Sequence, residues 1–319
     1  MQIDVNGTRL WFDVDGPALV PNASEMRQRP TVVLVHGGPG GYDHSYFKPD
    51  FGPLAQHAQV VYLDLRGHGR SDWGHATAWT FETCADDIRI FCDTVGIAAP
   101  IVFGHSMGGP VVLLYGARHP GHAAGLVVQS GFARWDPARL VEGFRRVAGD
   151  DVAEIARRSY AGEPVLDEEW TRVFSAFGPH LPNREREAHT PNNRELNARG
   201  MELIRGLDIV RQLNRVDSPT LVSVGELDPV TPVAAAEEIV DALPEGIAQF
   251  EIIDGAGHFT WMDAPERFWP VIIEFIGRTN RRMERDAGAV SEAGTRDHED
   301  SPSTGAPHSY QFDKSQDSR

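Results

Sequence analysis

Six short, nearly unbroken apolar runs, at residues 31–35, 60–63, 101–103, 126–128, 221–224 and 250–253, punctuate this chain. A strand that is apolar at successive positions is covered on both faces, the situation of a buried, mostly parallel sheet. Amphipathic stretches lie between most of the runs. In residues 80–95, Phe81, Cys84, Ile88, Cys92 and Val95 recur at helical spacing, and 107–118, 231–243 and 265–277 read the same way. Strand alternating with helix predicts an α/β fold with a doubly wound, mostly parallel sheet. A hairpin is expected at the start: Ile3 and Val5 alternate, Asn6-Gly7 supplies the turn, and Leu10-Trp11-Phe12 resumes the strand. Residues 15–30, polar and bounded by proline, read as loop.

The alternation is interrupted once. Residues 132–217 hold no convincing strand and are rich in Arg, Glu and Ala, with scattered aromatics at Phe144, Tyr160, Trp170, Phe174 and Phe177. Several short helices inserted between two strands would form a cap over the carboxyl edge of the sheet, where ligands bind in such folds. The expected organisation is a core of residues 1–131 and 218–280, a helical cap at 132–217, and a tail at 281–319. Arg, Asp, Glu, Ser, Gly and Pro dominate that tail, which reads as disordered because it has little apolar surface to bury.

Bulk properties remove several classes of function. A formal charge of −16 argues against a nucleic-acid partner and against docking on an anionic membrane. No apolar stretch approaches the roughly 18 residues of a membrane span. The first residues, Met1-Gln2-Ile3-Asp4-Val5, show neither a basic segment nor an apolar run, so no signal peptide is visible and a cytoplasmic protein is expected. Cys84 and Cys92 stand eight apart on one predicted helix, too far along its axis for a disulfide, which fits a reducing compartment. Lysine occurs only at 48 and 314, neither in a glycine-rich phosphate loop.

The strongest chemical signal is Gly104-His105-Ser106-Met107-Gly108-Gly109, which follows one apolar run and opens a helical stretch. G-x-S-x-G between strand and helix is the setting of a nucleophile elbow, in which glycines permit a sharp turn that presents the serine. A serine hydroxyl needs a base. His258, on the glycine-flanked loop Asp254-Gly255-Ala256-Gly257-His258 after the last strand, is the candidate; His105 is turned elsewhere, and His36 ties down its own loop. The base needs an orienting carboxylate. Asp228, in Gly225-Glu226-Leu227-Asp228-Pro229 after the strand at 221–224, is preferred over Glu226 and Asp254. The order Ser, Asp, His along the chain is that of the α/β hydrolases. His36-Gly37-Gly38-Pro39-Gly40-Gly41 follows the first core strand; Gly38 N–H and Met107 N–H are expected to form an oxyanion hole. The segment Asp64-Leu65-Arg66-Gly67-His68-Gly69-Arg70-Ser71 reads as an ion-paired turn that braces the elbow.

Taken together, these segments resemble the α/β-hydrolase superfamily over residues 1–278. His-Gly-Gly-Pro-Gly at 36–40 with Gly-Glu-x-Asp-x-Val-Thr-Pro at 225–232 resembles its proline iminopeptidase (prolyl aminopeptidase) branch. Gly104-His105-Ser106-Met107 departs from that branch, where Gly-Gly-Ser and an aromatic are common, and matches many esterases and lipases. The resemblance implies a Ser–Asp–His triad, a helical cap, and release of an N-terminal residue whose amino group is bound by cap acids. Glu185, Glu187, Glu195 and Glu202 are acids within the cap. The expected activity is acyl transfer on a small-molecule or short-peptide substrate with no cofactor and no metal. An aminopeptidase leads, a carboxylesterase or lactonase is the alternative, and a non-catalytic ligand receptor is the remote one.

Overall fold

A computed structural model describes residues 1–182 and 191–299, with side chains as far as Asp286. The chain divides into two units, Met1–Asn280 and Arg281–Arg319. In the first, eight strands form one sheet. Strand β1 (Gln2–Val5) pairs antiparallel with β2 (Thr8–Asp15). A separate antiparallel pair, β3 (Leu19–Asn22) and β4 (Glu25–Gln28), follows. The chain then builds β5 (Thr31–Val35), β6 (Gln59–Leu63), β7 (Ile101–His105), β8 (Gly125–Gln129), β9 (Thr220–Gly225) and β10 (Ala248–Ile253). The spatial order is β1-β2-β6-β5-β7-β8-β9-β10, with β2 antiparallel to β6 and every later pair parallel.

Alternate residues of the core strands enter two separate apolar layers. Val33, Val35, Val61, Leu63, Val102 and Val128 pack on one face; Val32, Leu34, Val60, Tyr62, Ile101, Phe103 and Val127 pack on the other. This is why the runs are apolar at successive positions: each strand is covered twice. From β5 the order steps one way to β6 and the other way to β7. The fold therefore reverses between β5 and β7, and at such a point the loops leaving the two strands splay apart into a ligand crevice. The loop beginning at His36 and the turn at Ser106 are those two loops.

Between β8 and β9 the cap carries the helices Pro137–Ala148, Asp150–Ala161, Asp167–Ser175 and Arg194–Arg205. Its scattered aromatics form one chain of rings. Centroid distances are 6.3 Å for Phe144–Tyr160, 6.2 Å for Tyr160–Trp170 and 6.4 Å for Trp170–Phe177. Cys84 and Cys92 are buried free thiols on the helix Phe81–Val95. Among the described residues no helix is long and apolar enough to cross a membrane.

Two expectations require correction. Residues 15–30 contain the β3–β4 hairpin, turned at Ala23 with φ +52°. Most of its residues face solvent, so it carries no apolar alternation to read. The tail is not without regular structure where it is described, because the last helix spans Pro265–Glu299. Residues 281–299 are rich in Arg, Glu and Ala, good helix formers, and Arg282 lies 3.8 Å from Asp286 one turn on. Residues 300–319 lie outside the described chain.

Candidate active site

The elbow follows β7 directly. Ser106 has φ +54°, a left-handed conformation rare for a residue with a side chain. The flanking glycines make it possible. A Cβ on Gly104 would lie 2.3 Å from the Gly108 carbonyl oxygen, and one on Gly108 would lie 2.5 Å from that of Val35. The G-x-S-x-G spacing thus reflects two backbone approaches too close for any side chain.

The structure brings Ser106, His258 and Asp228 into one hydrogen-bonded chain. His258 Nε2 is 3.0 Å from Ser106 Oγ, and His258 Nδ1 is 2.9 Å from Asp228 Oδ2. A carboxylate only accepts, so Nδ1 carries the ring proton and Nε2 is the acceptor for the serine hydroxyl. Asp228 is fully buried and takes three further donors: Val230 N–H at 2.9 Å, Thr231 N–H at 3.0 Å and Thr231 Oγ–H at 2.7 Å. The rivals are employed elsewhere. Glu226 accepts Gly255 N–H at 2.8 Å, and Asp254 is an exposed partner of Arg267. The base loop is also tied to the cap: His258 N–H donates to the Phe177 carbonyl at 2.6 Å.

Gly37, Gly38 and Met107 line the same cavity as Ser106. Gly37 N–H donates to Tyr46 Oη at 2.8 Å. Gly38 N–H and Met107 N–H have no acceptor among the described residues, and both residues border the cavity that holds Ser106.

The Asp64–Ser71 segment holds the loop after β5 rather than the elbow itself. Asp64 accepts from His44 N–H at 2.9 Å, His44 Nδ1 at 2.7 Å and Arg70 N–H at 3.0 Å. Asp43, His44 and Asp64 lie close enough to share a cation, but both Asp64 oxygens already accept N–H groups. Arg66 forms a two-pronged ion pair with buried Asp87, both bonds 2.5 Å. His36 Nδ1–H donates to the Gly37 carbonyl and its Nε2 accepts Leu65 N–H; His68 Nδ1–H donates to the Arg66 carbonyl and its Nε2 accepts Gly40 N–H. Each ring is therefore a neutral tautomer. Burial pushes His36 down, His68 down to about 3, and His105 well below the usual histidine range.

These depressed values set the sign of the acid response. In the unfolded chain the three rings protonate near pH 6.5, whereas the folded state keeps them neutral. Unfolding below that pH takes up protons, so their contribution to stability is complete above about pH 6.5 and is lost as pH falls below it. We expect His68 and His105 each to take up about one proton on unfolding near pH 5, worth about 1.4 kcal/mol per pH unit each, with His36 adding in the same direction. Calorimetric melting from pH 7 to 5 checks this; a flat profile would contradict it.

The cavity holds about 840 Å³ of empty space, including its mouth. Its walls are largely aromatic and aliphatic, among them Phe132, Trp135, Tyr160, Phe177, Met201 and Ile204. Among the described residues, the charged ones that line it are Arg134, Asp136 and Arg139. Asp136 Oδ1 caps a helix by accepting Ala138 N–H and Arg139 N–H, and both arginines pair with Glu238. The cap acids singled out in the sequence do not reach this wall where they are described. Glu195 is exposed, Glu202 is an exposed partner of Arg199, and Glu185 and Glu187 lie outside the described residues. Sequence reasoning missed Thr231, Tyr46 and the Phe177 carbonyl. Only Thr231 left a trace, in the Val-Thr-Pro that follows Asp228.

An eight-stranded, mostly parallel sheet with a helical cap inserted after β8, and a serine elbow at its reversal point, defines an α/β hydrolase. The chain matches the alpha/beta hydrolase fold family over residues 30–265, and it belongs to that family. It is 27% identical over 254 residues to a putative carbamate hydrolase RutD of Caulobacter vibrioides (77% of this chain, 90% of that one). It is 25% identical over 277 residues to 3-oxoadipate enol-lactonase 1 of Acinetobacter baylyi (85% and 94%). It is 21% identical over 294 residues to a proline iminopeptidase of Heyndrickxia coagulans (86% and 97%), so that branch is among its relatives.

Proposed function

We propose that this protein is a serine hydrolase that cleaves carboxylic esters, lactones included, whose acyl portion is apolar and uncharged. The observation that carries the reading is the bonded chain Ser106–His258–Asp228 on the floor of an aromatic cavity. Ser106 Oγ attacks the carbonyl carbon as His258 Nε2 takes its proton, and Asp228 holds the ring that becomes cationic. The oxyanion is received by Gly38 and Met107 N–H. His258 returns the proton to the leaving alcohol as the C–O bond breaks. Water, deprotonated by the same nitrogen, then attacks the Ser106 ester and releases the acid.

The substrate class follows from the wall. A free α-ammonium is costly to desolvate without a partner. Among the described lining residues the one acid, Asp136, is already engaged as a helix cap, and two guanidinium groups stand beside it. Apolar rings offer binding area to an uncharged acyl chain. The relatives act on different bonds by name, a carbamate, an enol-lactone and an N-terminal proline, all at low identity. An aminopeptidase is the second reading, supported by His-Gly-Gly-Pro-Gly and Val-Thr-Pro in this sequence.

The two readings separate on one panel. Nitrophenyl esters of short and medium acyl chains are expected to exceed proline and alanine arylamides in kcat/KM by about tenfold or more, a difference of about 1.4 kcal/mol. Acetylating the arylamide's amino group is expected to bring no penalty. A loss of about tenfold or more on acetylation would establish the aminopeptidase instead.

A further inference from the structure

Two buried ionisable groups beneath the site take no part in the reaction derived above: Tyr46, in the loop after β5, and His105, the residue before the nucleophile. Their hydrogen bonds have only one consistent direction. The His258 carbonyl can only accept, so the proton on His105 sits on Nε2, 3.0 Å from that oxygen. A neutral ring then leaves Nδ1 as an acceptor, and Tyr46 Oη–H donates to it at 3.0 Å. The Tyr46 oxygen in turn accepts Gly37 N–H at 2.8 Å. Burial pushes Tyr46 up and His105 down, so neither ionises where enzymes ordinarily work and the direction of the run is fixed. Trp261 covers His105 edge-on at a centroid distance of 4.7 Å.

The run Gly37 N–H → Tyr46 Oη–H → His105 Nδ1, continued by His105 Nε2–H → His258 carbonyl, joins three separate pieces of chain. They are the loop carrying Gly38, the elbow carrying Ser106 and the loop carrying the base. Clearance among them is small: a Cβ on Gly37 would lie 3.1 Å from Ser106 Cβ. Oxyanion donors act only when held about 2.7–3.1 Å from the developing charge, so a small drift of the Gly37–Gly38 loop costs rate rather than binding. We propose that Tyr46 and His105 form a positioning pair that sets the Gly38 N–H and the base in register with Ser106. The proposal rests on the serine-hydrolase reading of the site.

Tyr46→Phe removes one oxygen and leaves Gly37 N–H without its acceptor. Against a nitrophenyl ester the variant is expected to lose about tenfold or more in kcat while KM stays within about twofold. Affinity for an alkyl boronic acid, which adds to Ser106 and places an oxygen in the oxyanion hole, is expected to fall by a similar factor. A merely structural role would lower Tm without a matching loss of boronate affinity. His105→Phe removes both bonds, whereas His105→Gln retains a donor for the His258 carbonyl; the glutamine variant is expected to keep several-fold more kcat. Unchanged kcat in Tyr46→Phe, or lost kcat with unchanged boronate affinity, overturns the positioning role alone. A wild-type protein that neither cleaves esters nor binds the boronate overturns the reading of the site, and this proposal with it.

Discussion

Ser106→Ala and His258→Ala are each expected to lower kcat by about three to six orders of magnitude, and Asp228→Asn by about four. The three side chains act as one unit, so removal of any one forfeits most of what the set contributes. In the asparagine variant the cause is specific. The buried Asp228 carboxylate fixes the His258 proton on Nδ1 by accepting it at 2.9 Å. An amide can present an N–H at that point, which puts the ring proton on Nε2 and blocks its acceptance of the serine hydroxyl at 3.0 Å. A fluorophosphonate probe should label the wild-type protein and leave Ser106→Ala unlabelled. Labelling of Ser106→Ala would assign the nucleophile elsewhere, and near-normal turnover by Asp228→Asn would move the orienting role to another acid.

The largest expected effect on stability lies away from the cavity. Asp87 is fully buried and accepts Arg66 through two bonds, with Asn6 Nδ2 as a third donor at 2.9 Å. Asp87→Ala would leave a guanidinium almost enclosed without its counter-charge, which destabilises by about 3–5 kcal/mol. Chemical denaturation is the measurement. Replacing both partners with apolar residues of similar volume, Arg66→Met with Asp87→Leu, is expected to recover most of the loss, since no charge then remains buried. A double variant as unstable as Asp87→Ala would show that the pair matters for something besides charge neutralisation. Neither residue lines the cavity, so turnover well below the melting temperature should be retained.

The sheet was legible because burial on both faces leaves a mark at every position of a strand. The parity of Val32, Val33, Leu34 and Val35 across two layers is that mark made visible. Ser106, Asp228 and His258 were legible for a related reason: each sits just past a readable strand, where turn geometry restricts the neighbouring residues. The β3–β4 hairpin left no mark because little of it is buried. The wall of the cavity was opaque for a different reason. Whether a carboxylate in the cap faces substrate, caps a helix or pairs with an arginine is decided by contacts, near and remote in sequence, that acid content does not reveal. Glu202 and Asp136 found such local uses. Glu238, read only as part of a helical stretch, turned out to neutralise two arginines that do line the cavity. The resemblance to the iminopeptidase branch, together with the acids of the cap, therefore pointed toward an ammonium ligand for which the described wall has no free acid.

The bond from His258 N–H to the Phe177 carbonyl makes the roof and the base a single mechanical part. A Cβ on Gly257 would lie 2.1 Å from that same carbonyl oxygen, so the two backbones are already in contact. Lifting the cap at Phe177 would withdraw the acceptor from the histidine's own backbone and unsettle the ring beneath it. At this corner the roof is fastened to the loop that carries the base. A cap movement that keeps the imidazole in place would therefore have to leave Phe177 where it is.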